Sequence, residues 1–144
     1  MRRHLILVVR LMKNIFLLIV LILSIACPVF THADTTEDLS DLSEASMNFD
    51  QEVVGQFLQI LSKSIESGFN SKDAKDLTKK IDALSVDEED RWEYMVVVNG
   101  KKTRLVVSAY KDDIDAPDLY FYTSPELASQ IEGQLESFAT SMGW

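Results

Sequence analysis

The fold turns on one stretch, Trp92-Glu-Tyr-Met-Val-Val-Val-Asn-Gly-Lys-Lys-Thr-Arg-Leu-Val-Val-Ser-Ala-Tyr110. Two β-rich runs flank Asn99-Gly100. A two-residue type I′ turn needs φ > 0 at both central positions, and Asn-Gly supplies that at least cost. The turn sets the register by pairing Val98 with Lys101 and stepping outward from there. Period-2 alternation then sorts the side chains onto two faces. Trp92, Tyr94, Val96 and Val98, opposite Val107, Leu105, Thr103 and Lys101, make a core face that becomes polar towards the turn. Glu93, Met95 and Val97, opposite Val106, Arg104 and Lys102, make an amphipathic second face, and Tyr110 joins it if the strand extends that far.

Working outward, Lys111 to Asp118 reads as an acidic loop ended by Pro117. It lacks the central Gly and distal Glu of a calcium loop. Leu119 to Thr123 is a third strand, with Leu119 and Phe121 facing the core and Tyr120 and Tyr122 facing the other way. Ser124-Pro125-Glu126 places an N-cap, a proline at N1 and an acid in the first turn of a final helix. Its stripe is Leu127, Ile131, Leu135, Phe138 and Met142, and Gly133 lies on the opposite side.

Before the hairpin, Asp50 is a candidate N-cap, with Phe49 placed to pack on Val54 as a hydrophobic staple. Val53, Val54, Phe57, Leu58, Ile60, Leu61 and Ile65 recur at helical spacing, and Gly68 is positioned to end that helix. A second helix begins at Ser71, with Ala74, Leu77, Ile81 and Leu84 on one face. Its lysines pair most simply with Asp73, Asp76 and Asp82 on a solvated surface. Asp87-Glu88-Glu89-Asp90 reads as a charged loop into the hairpin.

The N-terminal part is of another kind. Arg2, Arg3, Arg10 and Lys13 precede the almost wholly apolar run Asn14–Ala26, and Thr31-His32-Ala33 offers a small-x-small cleavage site. This order resembles a bacterial export signal, and Met12 is an alternative start. An uncleaved anchor is opposed by the length of the apolar run, which falls short of the ~20 residues a spanning helix needs. Lipid attachment at Cys27 is opposed by Ser24, where lipoprotein signals carry Leu, and by Pro28. The expected organisation is therefore a signal peptide over 1–33, a flexible acidic linker over 34–47, and a single domain over 48–144. The expected fold class is α+β, with a three-stranded antiparallel sheet, about three helices and the order α-α-β-β-β-α.

Composition excludes more than it assigns. The leader holds four cations and no acid, so without it the net charge falls from −9 to −13. Nucleic acid is not an expected partner of such a surface. The membrane is a partner only through the leader, if it is uncleaved or lipidated at Cys27. His4, His32 and Cys27 are the two histidines and the one cysteine, and all lie in the leader. The remainder cannot assemble Ser-His-Asp or Cys-His catalysis, a structural zinc site or a disulfide. An exported domain without disulfides fits a bacterial envelope better than a eukaryotic secretome. Carboxylate-pair hydrolysis and Ser-Lys chemistry remain formally open, but the acids sit in loops and caps and no nucleophile has an activating base. The expectation is no enzyme, no cofactor and no metal.

One candidate interaction face follows: Met95, Val97, Lys102, Arg104, Val106, Tyr110, Tyr120 and Tyr122, an aromatic and basic patch on an acidic chain. Aromatic and Arg side chains are enriched at interface centres. Alternation does not say whether a helix covers this face. The expected function is a small exported, periplasmic or secreted, interaction protein of inhibitor, immunity or adaptor type, with a protein partner in the cell envelope. The alternative is a small-ligand module with an apolar pocket lined by Phe57, Leu61, Trp92 and Tyr94.

Overall fold

In the computed structural model, Asn99 and Gly100 have φ of 52° and 73°, the two positive values a type I′ turn demands. The hairpin they close is long. Strand β2 (Glu88–Val98) pairs antiparallel with β3 (Lys101–Asp113), from Val98↔Lys101 out to Glu88↔Lys111. The structure describes residues 39–144. The signal-peptide, cleavage and lipidation expectations fall on residues outside that range.

The other elements are β1 (Ser43–Asn48), α1 (Gln51–Ser64), α2 (Ser71–Asp82), β4 (Ala116–Thr123) and α3 (Pro125–Met142). The architecture is α+β, but the described sheet has four antiparallel strands in the order β1-β4-β3-β2, against the three expected. The additional strand comes from Ser43–Asn48, most of which the sequence pattern assigns to the acidic linker. Ser, Glu, Ala and Asn have little intrinsic strand preference. What makes this segment a strand is β4, with which it pairs from Ser43↔Thr123 to Asn48↔Asp118. The side chain of Asn48 reinforces the far end by donating to Asp118 Oδ1 at 2.7 Å.

Two expected loops are also strand. Glu88, Glu89 and Asp90 open β2, and Lys111–Asp113 finish β3, leaving Ile114 and Asp115 as the turn into β4. A register shift between Lys111 and Asp113 accommodates that turn. Acid-rich sequence is compatible with a strand here because the ends of β2 and β3 that carry it are exposed on both faces.

All three helices of the described chain send their buried stripes into a single core. Val53, Val54, Phe57, Leu58 and Leu61 of α1, Ala74, Leu77 and Ile81 of α2, and Leu127, Ile131, Leu135 and Phe138 of α3 cluster with Ala45, Val96, Leu105, Val107, Ala109, Leu119 and Phe121 of the sheet. Phe57 is at the centre, fully buried. Its ring lies 5.2 Å from Phe49, 5.7 Å from Phe121 and 5.7 Å from Phe138, so it joins α1 to β4 and α3. Each such pair adds roughly 0.5–1.5 kcal/mol to the area buried. The stripe of α3 stops at Phe138, because Met142 is exposed. Trp144 packs edge-on against Phe138, with ring centroids 6.3 Å apart.

Helix ends follow local chemistry to different degrees. Asn70 caps α2 by accepting from the Lys72 and Asp73 amides, and Asp73 returns a bond to the Asn70 amide, which completes a capping box. Ser124 caps α3 ahead of Pro125 as expected. Asp50 occupies the N-cap of α1 but makes no side-chain cap bond. That junction is held by tertiary main-chain bonds instead, Phe49 N–H to Pro117 O at 3.0 Å and Gln51 N–H to Asp115 O at 2.7 Å.

Helix α1 ends at Ser64, before Gly68, and the segment that follows runs beside β2. Glu66 N–H donates to Val97 O and Val97 N–H to Ser67 O, forming an isolated bridge. The Glu66 carboxylate also accepts the Gly100 amide at the hairpin turn. Gly68 is required at this close approach: its φ is +90°, and a Cβ there would lie 1.9 Å from the Met95 carbonyl oxygen. At the opposite end of β2 and β3, Lys111 is buried on the core side. Its Nζ donates to Leu84 O at 3.1 Å and Asp82 O at 3.3 Å, the orphan carbonyls at the C-terminus of α2.

Three substitutions test this account by thermal and urea denaturation. Gly68→Ala should lose more than ~1 kcal/mol, because strained backbone and steric conflict coincide. Gly133→Ala should be stabilising by about 1 kcal/mol, since nothing lies within 4 Å of its added Cβ. Lys111→Ala should lose about 2 kcal/mol by leaving buried carbonyls without a donor.

Candidate functional site

The second face of the sheet is built by the even-numbered residues of β3 and β4 and the odd-numbered residues of β2. Across the strands the rows read Glu44–Tyr122–Val106–Glu93 and Ser46–Tyr120–Ser108–Arg91, with Asp118, Tyr110 and Glu89 in the next row. No described helix packs on it. Met95 is 56 % exposed, and Glu44, Ser46, Arg91, Glu93 and Lys102 are exposed as well. Val106 is only 3 % exposed, yet it lies outside the helix-packed core. The side chains around it on its own face close over it.

By alternation all eight candidate residues, Met95, Val97, Lys102, Arg104, Val106, Tyr110, Tyr120 and Tyr122, lie on this side of the sheet. Val97 and Lys102 sit at the hairpin tip. By strand rise Lys102 is ~13 Å along β3 from Val106. Val97 is engaged through its backbone by Glu66 and Ser67. Lys102 lines an open depression of about 340 Å³ with Val98, Lys101, Glu126 and Leu127, and Lys101 reaches Glu126 there at 3.5 Å.

Tyr120 and Tyr122 stack on one another along β4, with ring centroids 6.4 Å apart and planes inclined by 13°. Residues i and i+2 of a strand point the same way, so consecutive aromatic residues of one face form a continuous ledge. Both rings are half-buried. Around them the charges are negative. Burial raises the Tyr120 phenol above its usual 10, and Asp118, Glu44 and Glu89 raise it further. Burial and Glu44 likewise raise Tyr122, with Arg91 opposing. For Tyr110 the main cause is Asp87, whose Oδ1 accepts from the phenol at 3.3 Å.

The cations of the face are matched by carboxylates. Arg104 holds Glu93 through two bonds, Nε to Oε1 at 2.9 Å and Nη2 to Oε2 at 3.1 Å. Arg91 binds Glu89, whose Oε1 also accepts from Ser108 Oγ at 3.0 Å. The tyrosine half of the face is therefore aromatic and acidic, where the sequence pattern suggested aromatic and basic. Glu44, Ser46, Glu89, Arg91 and Asp118 lie outside the predicted face, because β1 and the outer ends of β2 and β4 that carry them are not strand in the sequence pattern. One signal was present: Glu44-Ala45-Ser46-Met47 alternates polar and apolar with period 2.

The residues proposed to line a ligand pocket lie elsewhere. Phe57 and Leu61 are sealed in the core, and Trp92 and Tyr94 pack partly buried against it. Phe69 stands edge-on to Tyr94 at 4.8 Å. A second open depression, of about 410 Å³, lies between α1 and α3 and is lined by Ile60, Gln130, Gly133, Gln134 and Ser137 among others. Among the described residues, no group of three or more His, Cys, Asp or Glu side chains is placed to hold a metal ion.

Comparison with known protein families, with curated proteins and with solved structures finds no match.

The raised phenols give a pH signature. Absorbance titration should show Tyr110, Tyr120 and Tyr122 ionising above 10 in the folded protein and returning to about 10 in urea. Because the folded values are raised, the linked stability is fully present below pH ~10 and is lost as pH rises through the folded values. Asp87→Asn should bring Tyr110 alone back towards its ordinary value.

Proposed function

We propose that this is a small exported interaction protein, of inhibitor, immunity or adaptor type, which captures a protein partner in the bacterial cell envelope through the second face of its sheet. The reading joins two things. The N-terminal pattern resembles an export signal. The face presents three tyrosines and an exposed methionine on a rigid sheet that no described helix covers.

That face, on which no described helix packs, is the observation that carries the proposal. Tyrosine is favoured at interface centres because it offers large contact area with few rotors and a polar tip. Strands β4 and β3 hold the rings by main-chain pairing on both sides, so little ordering cost falls on binding. On the helical side the phenylalanines are committed to the core around Phe57, and the half-exposed Trp144 leans edge-on against Phe138. The scarcity of catalytic side-chain types outside the leader agrees with binding as the task.

The test is site-specific photo-crosslinking in the producing cell, with the reactive residue at position 120 on the sheet face and, for comparison, at position 75 on the exposed side of α2. Crosslinks to an envelope protein should form from position 120 and not from 75. Tyr120→Ser with Tyr122→Ser should weaken capture tenfold or more, on the order of a hot-spot pair, with circular dichroism unchanged. Equal crosslinking from both positions, or capture indifferent to the double substitution, would overturn the reading.

A further inference from the structure

We infer that the partner segment seated on this face is cationic, presenting arginine or lysine to the Tyr120–Tyr122 ledge; the inference rests on the sheet-face reading above and names the chemistry of its occupant.

Three observations converge. The first is the ledge itself, two near-parallel rings held on adjacent outward positions of β4. A guanidinium or ammonium group gains most over the face of an aromatic ring, and a planar guanidinium can stack there while its edge donates hydrogen bonds. The second is the frame of carboxylates. Glu44 is the direct cross-strand neighbour of Tyr122, and Asp118 is two residues from Tyr120 on the same strand. Glu44 and Asp118 flank the ledge from β1 and β4, so a cation on the rings meets acceptors beside it. Burial is the main cause that raises both phenols, and Glu44 adds to it at each, with Asp118 also acting on Tyr120 and Arg91 opposing at Tyr122.

The third is the disposition of the face's own cations. Arg91 is turned to Glu89, and Arg104 is held in a two-bond fork with Glu93. Both lie on the β2–β3 side, whereas Glu44 and Asp118 lie on the β1–β4 side. The ledge thus has a neutralised border on one side and an acidic one on the other. At longer range the strongly acidic chain outside the leader attracts positive partners and repels negative ones, which raises encounter rates with the former.

The experiment uses the exported form of the protein and two blocked peptides, Gly-Arg-Gly-Arg-Gly and Gly-Glu-Gly-Glu-Gly, with amide chemical shifts as readout. The arginine peptide should perturb residues 44, 118, 120 and 122 together and saturate, and the glutamate peptide should not. Tyr120→Ser with Tyr122→Ser should weaken arginine-peptide binding by about threefold to thirtyfold. Tyr120→Phe with Tyr122→Phe should retain it, because the ring faces remain. Glu44→Gln, an exposed change on the edge strand, should weaken binding without touching the rings, which keeps the test decisive if the double serine variant unfolds.

Perturbations scattered over Asp50, Glu126 and Glu132 as well, or binding unaffected by both Glu44→Gln and loss of the rings, would overturn the inference. The crosslinking experiment separates the two levels. A partner captured from position 120 through a segment without arginine or lysine sustains the face and refutes the cation. Absence of any crosslink from position 120 refutes the face itself.

Discussion

Two left-handed residues, Asn99 and Gly100, hold the register on which the rest of this molecule depends. A one-residue slip in β2 against β3 would turn Val96, Val98, Leu105 and Val107 out to solvent and bring Arg104 and Glu93 into the core. The turn prevents that by its φ values, and Glu66 reinforces it by accepting the Gly100 amide. With the hairpin set, β4 adds to β3 with Phe121 against Val107 and Tyr122 against Val106, so the two faces continue across the sheet. Phe57 then has one place to go, the apolar face, and it draws Phe49 and Phe138 with it.

One-sided packing has a functional consequence. A two-layer α+β domain of this length buries one face of its sheet and leaves the other to water. Most of that outer face is handled conventionally, by the Arg104–Glu93 pair across β3 and β2 and the Arg91–Glu89 pair along β2. Such pairs near the surface contribute modestly to stability, ~1 kcal/mol or less, but they settle where the charge lies. They neutralise the β2–β3 half and leave Tyr120 and Tyr122 bordered by Glu44 and Asp118. The face is therefore polarised, and its aromatic part is also its acidic part.

Much of the core was legible from residue spacing. The hairpin register, the outward set of Tyr120 and Tyr122, the N-cap of α3 and the buried stripes of all three helices follow from periodicity and turn chemistry, which are short-range signals. All eight candidate face residues share one side of the sheet for the same reason. What escaped was the segment whose conformation is imposed from a distance. Ser43–Asn48 reads as linker because its composition is polar and acidic, and it becomes a strand only because β4, some seventy residues later, offers an edge. The acids at Glu88–Asp90 and Asp112–Asp113 mislead in the same way: a run of charge suggests a loop, where it marks the exposed ends of β2 and β3. Gly68 was read as a helix stop, and its place is decided by the Met95 carbonyl pressed against it.

The sequence by itself determined the hairpin, the helix stripes, the alternation that divides two faces and the absence of histidine and cysteine after residue 33, because each depends on neighbours within a few residues or on composition alone. Only the tertiary structure decided that the described sheet has a fourth strand, that all three described helices lie on one side, and that the exposed tyrosines are framed by acids from β1 and β4 while the arginines are spent on β2. Those facts depend on which strands meet and in what order, and strand order is a property of long-range pairing that no local pattern encodes.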